Sequence, residues 1–210
     1  MASPSTIQRT GRPDWTLMTA IHDALRRDLD QLIHTTASRA ATRARWEVFS
    51  DQLRFHLAAE HAAMWPRVRT RLTGDPRGEA LLEAMEDELW LIGPLQAMTD
   101  DAFDMDDTGP ARLRHLLTRL RTKLASHLAH EEADALPLIS RILSPGELEE
   151  IAAAIRGGTA IGRPAATVPW ALADASPDVR KRVLSQLPAP ARLLHRTLWL
   201  PCHARNTPLL

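Results

Sequence analysis

The chain has one cysteine, Cys202, and no tyrosine. A single cysteine excludes an intramolecular disulfide and any thiolate zinc cluster, and it fits a reducing compartment. Phenylalanine is scarce, and β-branched residues seldom alternate with polar ones, so strand signals are weak. No run reaches the ~18 consecutive apolar residues that a membrane span needs. Residues 1–13 are polar and lack the apolar stretch of a secretory signal; they read as a flexible N-terminus. Charge of either sign is not in excess, with 26 acidic and 26 basic residues. That balance carries no footprint of nucleic acid or of an anionic membrane. Lysine is nearly missing: only Lys123 and Lys181 occur, the other basic residues being arginine, which reads as genome composition. The expectation is a cytoplasmic protein with no nucleic-acid or membrane partner.

Helical signals dominate what is present. Hydrophobic residues make up 44% of the chain, enough for a core, and 25% charged residues argue against wholesale disorder. From Asp14, the residues Leu17, Ile21, Leu25, Leu29 and Leu32 recur every three or four positions, predicting a helix to about Ala40. A second helix is predicted over roughly Thr42–Leu72, ended by the Gly74–Gly78 turn. A third runs from about Gly78 to Asp104, with a kink expected at Gly93-Pro94. After an acidic loop, a fourth spans about Pro110–Leu143. Four long helices with short breaks predict an all-α, antiparallel up-down four-helix bundle over residues 14–143. Ser144-Pro145-Gly146-Glu147 resembles a capping box and opens a short helix to Gly157-Gly158. Residues 159–169 read as a linker. Short helices near 176–187 and 190–199 follow. Residues 144–210 are therefore expected to form a helical, Pro-rich C-terminal extension packed on the bundle, with Trp residues as anchors.

Two segments repeat each other. FHLAAEHAAMWPRV, from Phe55, and SHLAHEEADALPLI, from Ser126, align without gaps and share His56/His127, Glu60/Glu131 and Pro66/Pro137. A His-x3-Glu spacing puts imidazole and carboxylate on one helix face, a turn apart. Two such helices facing each other offer a donor set that suits first-row metal ions. His22 lies on the apolar stripe of the first helix, where a buried imidazole needs a partner. A lone histidine of that kind is usually a hydrogen-bonded core residue, and a single His-x3-Glu is often a surface ion pair. Two copies on separate helices plus an inward third histidine are harder to explain so, because buried carboxylates are rarely unpaired. His61, His130 and Glu132 neighbour the motif glutamates and, at 100° per residue, are expected to face elsewhere. His195 and Cys202-His203 are weak signs of a second site.

These motifs resemble the hemerythrin-like (HHE cation-binding) family. The resemblance rests on His22 in IHDALRR, His56 and Glu60 in FHLAAE, and His127 and Glu131 in HLAHEE, and covers about residues 14–143. It implies a non-heme iron centre, di-iron in form, with His22 and His56 on one iron, His127 on the other and Glu60 and Glu131 bridging. It also implies a small ligand such as O2, NO or H2O2. The departure is on the third helix, where Leu89 stands in place of a histidine. Glu86 to Glu88 read as a solvated acidic face. The missing donor keeps an alternative open: a mononuclear or metal-depleted bundle acting as a sensor or protein-interaction module. A ferritin-like oxidase is disfavoured, since that fold uses Glu-x-x-His.

Overall fold

The computed structural model describes residues 14–105, 109–155 and 162–206. The expected flexible N-terminus, the centre of the acidic loop and the segment 156–161 lie outside the described residues. Every regular element among the described residues is helical. The first helix, α1, spans Thr16–His34. The second bundle helix is built from α2 (Arg39–Ala59), a π-helical turn (Glu60–Met64) and α3 (Trp65–Leu72). The third is α4 (Pro76–Asp104). The fourth joins α5 (Pro110–His130), a second π-helical turn (Glu131–Ala135) and α6 (Leu136–Ile142).

The first break falls earlier than the sequence pattern suggests. Helix α1 stops at His34, and Ser38 starts α2 by accepting a hydrogen bond from the Ala41 N–H at 3.3 Å. A serine cap satisfies one of the donors that every helix start leaves open. At the other end of the second bundle helix, Gly74 takes a positive φ of 87° and turns the chain. Asp75 then caps α4, with Pro76 at the first position, where a missing N–H costs nothing. Pro94 does not end α4, which runs through it as one helix of 29 residues.

The antiparallel arrangement shows in the cross-links between ends. Trp15, at the start of α1, donates to Ser140 in α6 at 2.9 Å. Trp46, near the start of α2, donates to Asp100, near the end of α4, at 2.8 Å. Helix α1 packs on α2 and α5, and α4 packs on α3 and α5. Trp46, Phe49, Leu53, Met64, Met85, Ile92, Leu120 and Leu128 fill the space between them. The stacked pair Trp46 and Phe103, 5.8 Å between ring centroids, closes one end.

The C-terminal segment contributes α7 (Pro145–Ile155), α8 (Gly162–Ala171), α9 (Pro177–Gln186), α10 (Ala189–Leu194), a third π-helical turn (His195–Trp199) and α11 (Leu200–Asn206). The expected linker is therefore largely helical: residues 162–171 form α8 despite Pro164 and Pro169. Burial of Thr167, Val168 and Trp170 against neighbouring helices overrides the weak local propensity. Helices α8 and α9 lie on α1. Trp170 is buried and donates to Asp28 at 2.7 Å, while Arg27 sits over its ring, 6.0 Å from the centroid. Trp90 departs from the expected anchor role: it stands 77% exposed on α4.

Trp170→Ala removes a buried ring and the donor to Asp28 Oδ2, while Arg27 still holds Oδ1. The expected loss is about 3 kcal/mol of folding stability. Urea unfolding followed by circular dichroism measures it; a loss below ~1 kcal/mol would mean that the extension adds little to the bundle.

Candidate metal centre

The two repeated segments share a backbone irregularity as well as residues. Each π-helical turn begins on the motif glutamate and ends just before the motif proline. Trp65 N–H bonds to the Glu60 carbonyl, and Leu136 N–H to the Glu131 carbonyl, five residues back instead of four. Proline explains this. It has no N–H to give, and its ring clashes with the carbonyl four residues earlier, at Ala62 or Ala133. One widened turn relieves the clash without breaking the helix. The third π-helical turn follows the same rule, from His195 to the residue pair before Pro201.

Four of the five sequence-derived donors come together. Donor atoms of His22, His56, Glu60 and Glu131 all lie within 4.8 Å of one another, and all four residues are buried. The rings of His22 and His56 meet edge to face at 5.0 Å. His56 Nε2 is 3.0 Å from Glu60 Oε1, and His22 Nε2 is 3.5 Å from Glu131 Oε2. His127 stands outside that group of four. It is fully buried, interacts electrostatically with Glu60, and its Nε2 has no hydrogen-bond partner. The same holds for His22 Nε2, both ring nitrogens of His56 and all four carboxylate oxygens of Glu60 and Glu131. Buried polar atoms are nearly always hydrogen-bonded, so orphaned imidazole nitrogens and carboxylate oxygens from five neighbouring side chains are the pattern of a site that a cation completes.

Glu132 was expected to face elsewhere and Glu88 to lie on a solvated acidic face; both instead reach the site's histidines. Glu132 Oε1 accepts from His22 Nδ1 at 2.7 Å and pairs with Arg26 at 3.0 Å. Glu88 accepts from His127 Nδ1 at 3.0 Å through one oxygen and from His130 Nδ1 at 3.0 Å through the other. The 100° rule misplaced Glu132 because α1 packs beside the widened turn and meets the next residue round. The side of α4 that Glu88 takes was legible, three residues after Met85 and four before Ile92, both fully buried, but the histidines it meets were not. Leu89 is half-buried against the core and offers no donor, so the third bundle helix reaches the site through Glu88. His61 and His115 are exposed, and His195 is buried in the C-terminal segment, outside the group of four.

A carboxylate on Nδ1 fixes the imidazole tautomer and turns the Nε2 lone pair inward. Burial outweighs the pull of these carboxylates, so His22 and His127 titrate below the ordinary imidazole value and stay neutral at pH 7. Burial also opposes ionisation of Glu60, but the imidazoles of His56, His22 and His127 overcome it and hold Glu60 below the usual carboxylate range. Glu131 goes the other way. Burial, then the negative charges of Glu60 and Glu132, push it well above that range. Burial and charge thus act in opposite directions on the two carboxyl groups, favouring the charged form of Glu60 and the neutral form of Glu131.

A four-helix bundle that buries facing histidine–glutamate turns among partnerless donors is a metal-binding bundle. The chain belongs to the hemerythrin HHE cation binding domain family, whose sequence model matches residues 14–139. No curated protein and no solved structure matches the chain.

Two outcomes follow. Glu132→Ala removes no donor from the group of four yet frees the His22 ring, and should weaken cation binding about 10–100-fold; Glu88→Ala should act likewise through His127. Titration of the stripped protein with ferrous or zinc ions reads both, and unchanged affinity would rule out the positioning role. Cation binding should also favour ionisation of Glu131, because a cation offsets the burial and the neighbouring negative charges that raise it. Affinity therefore falls as pH drops through the raised Glu131 value. Calorimetry in two buffers of different ionisation enthalpy counts the proton at each pH; a count that does not rise as pH falls contradicts the raised Glu131.

Proposed function

We propose that this chain is a non-heme iron protein that binds, or reacts with, a small ligand such as O2, NO or H2O2 inside the bundle. The carrying observation is the set of buried, unpartnered imidazole nitrogens and carboxylate oxygens on three helices. Imidazole and carboxylate together suit iron, and the absence of a thiolate in the group argues against a soft-metal site. His22, His56, Glu60 and Glu131 hold the first cation. His127, sharing Glu60 and Glu131, is the protein's contribution to a second. Iron, if bound there, would supply one-electron chemistry that no side chain here has. The residues around it exclude water: Leu25, Leu53, Met85, Ile92 and Leu128 are fully buried. Such an apolar interior admits a small uncharged ligand more readily than an ionic one.

One observation favours a second reading. His127 is not among the four donors that lie within 4.8 Å of one another, and α4 adds no nitrogen. The second position is then poorer in donors than the first, as in a mononuclear sensor or interaction module. Anaerobic reconstitution with ferrous iron, followed by metal analysis and absorption spectroscopy, decides between them. Two irons per chain with an NO- or O2-dependent spectrum support the di-iron reading; one iron supports the mononuclear one. Glu60→Ala and Glu131→Ala should each lower iron content by at least about tenfold at limiting metal, a loss of some 1.4 kcal/mol or more. A protein that takes up no iron refutes both readings.

A further inference from the structure

Helix α4 carries an apolar face that the bundle does not cover. From Leu89 to Met98 it has no charged residue. Within that stretch Trp90 is 77% exposed, Leu91 50% and Met98 43%, and Pro94 is exposed beside them. Isolated exposed leucines are ordinary, but an exposed tryptophan at the centre of a helical stripe is the kind of residue that anchors an interface. Gly93 lies in the same stripe. A Cβ added there would meet nothing within 4 Å, so the packing inside the protomer gives no reason for glycine. Glycine weakens a helix interior, and close approach by another chain is one physical use for it. Exposed acidic residues bracket the face: Glu83 and Asp87 precede it and Asp101 follows, while Asp100 and Asp104 beyond it pair with Arg54 and Arg43.

The C-terminal helices present the complement. Leu193, Leu194, Leu198 and Leu200 are 63%, 39%, 52% and 45% exposed. Arg192 and Arg196 lie a turn apart among them, both exposed, and the sequence has no acidic residue after Asp178. This basic apolar face sits with α8 and α9 on the α1 side of the bundle, whereas α4 lies diagonally across it, between α3 and α5. The two faces therefore cannot meet within one chain. Docking α4 on α4 would set acidic flanks against acidic flanks, which is repulsive.

We infer that the α10–α11 face of one copy docks on the α4 face of a second copy, giving a heterologous self-association with Trp90 at its centre. Such an interface uses two different patches of the same chain. The leucines cover Trp90, Leu91 and Met98, Gly93 lets the backbones approach, and the arginines meet the acidic brackets.

Sedimentation of the full chain at tens of micromolar tests this. The unaltered protein should have a mass above the monomer. Trp90→Glu and Leu198→Glu should each weaken association at least about tenfold, with helical circular dichroism and metal content unchanged, because both side chains are exposed. Arg196→Glu should weaken it too without touching an apolar residue. Mixing Trp90→Glu with Leu198→Glu should restore a dimer, since the first keeps the C-terminal face intact and the second keeps the α4 face. A monomeric parent protein, a single variant that associates as the parent does, or a mixture that stays monomeric would each overturn the proposal.

Discussion

The structure is organised by the burial of imidazoles and carboxylates without hydrogen-bond partners in the middle of a helical bundle. Taking a carboxylate out of water costs several kcal/mol even after relaxation. Glu60 and Glu131 are both fully buried. That cost is eased for Glu131 by a shift toward its neutral form, and for Glu60 by the imidazoles beside it. Neither device satisfies the orphaned lone pairs. A divalent cation does both, so the apolar core around the site has to supply stability that the metal-free centre takes away.

The prolines decide how the second and fourth bundle helices continue beyond their donors. A regular helix already puts His56 and Glu60 on one face. The widened turn that Pro66 forces starts at Glu60 itself, and the same relation holds between Pro137 and Glu131. The extra residue in that turn changes the angular position of everything after the glutamate, which lets the bundle pack normally beyond the site. His195 occupies the corresponding place before Pro201. There the turn is present without converging partners, which shows that the backbone device is separable from metal chemistry.

The outer carboxylates tie the site to the rest of the molecule. Glu132 links His22 to Arg26, and Glu88 links His127 to His130. Each imidazole is thus oriented from a neighbouring helix. Any change in how α1 or α4 packs alters where a lone pair points, so bundle packing and cation affinity are one property. The appended helices on α1 belong to the same arrangement, because Trp170 is anchored on Asp28 within the helix that carries His22.

The sequence alone determined the helical class and the bundle, and it singled out five side chains of which His22, His56, Glu60 and Glu131 come together. Periodicity of Leu17 to Leu32 and the duplicated His-x3-Glu are local, and local spacing fixes which side chains share a helix face. Family membership agrees with that reading over residues 14–139. Only the tertiary structure decided which neighbours meet those faces. Glu132 and Glu88 reach the histidines because α1 and α4 lie beside them, a fact about packing between helices that no spacing within one helix contains. Residues 162–171 became helix because they were buried on α1, and Trp90 was left outside because α4 turned its other side inward. Helix faces are set by short-range geometry, whereas what each face touches depends on contacts between residues far apart in the chain.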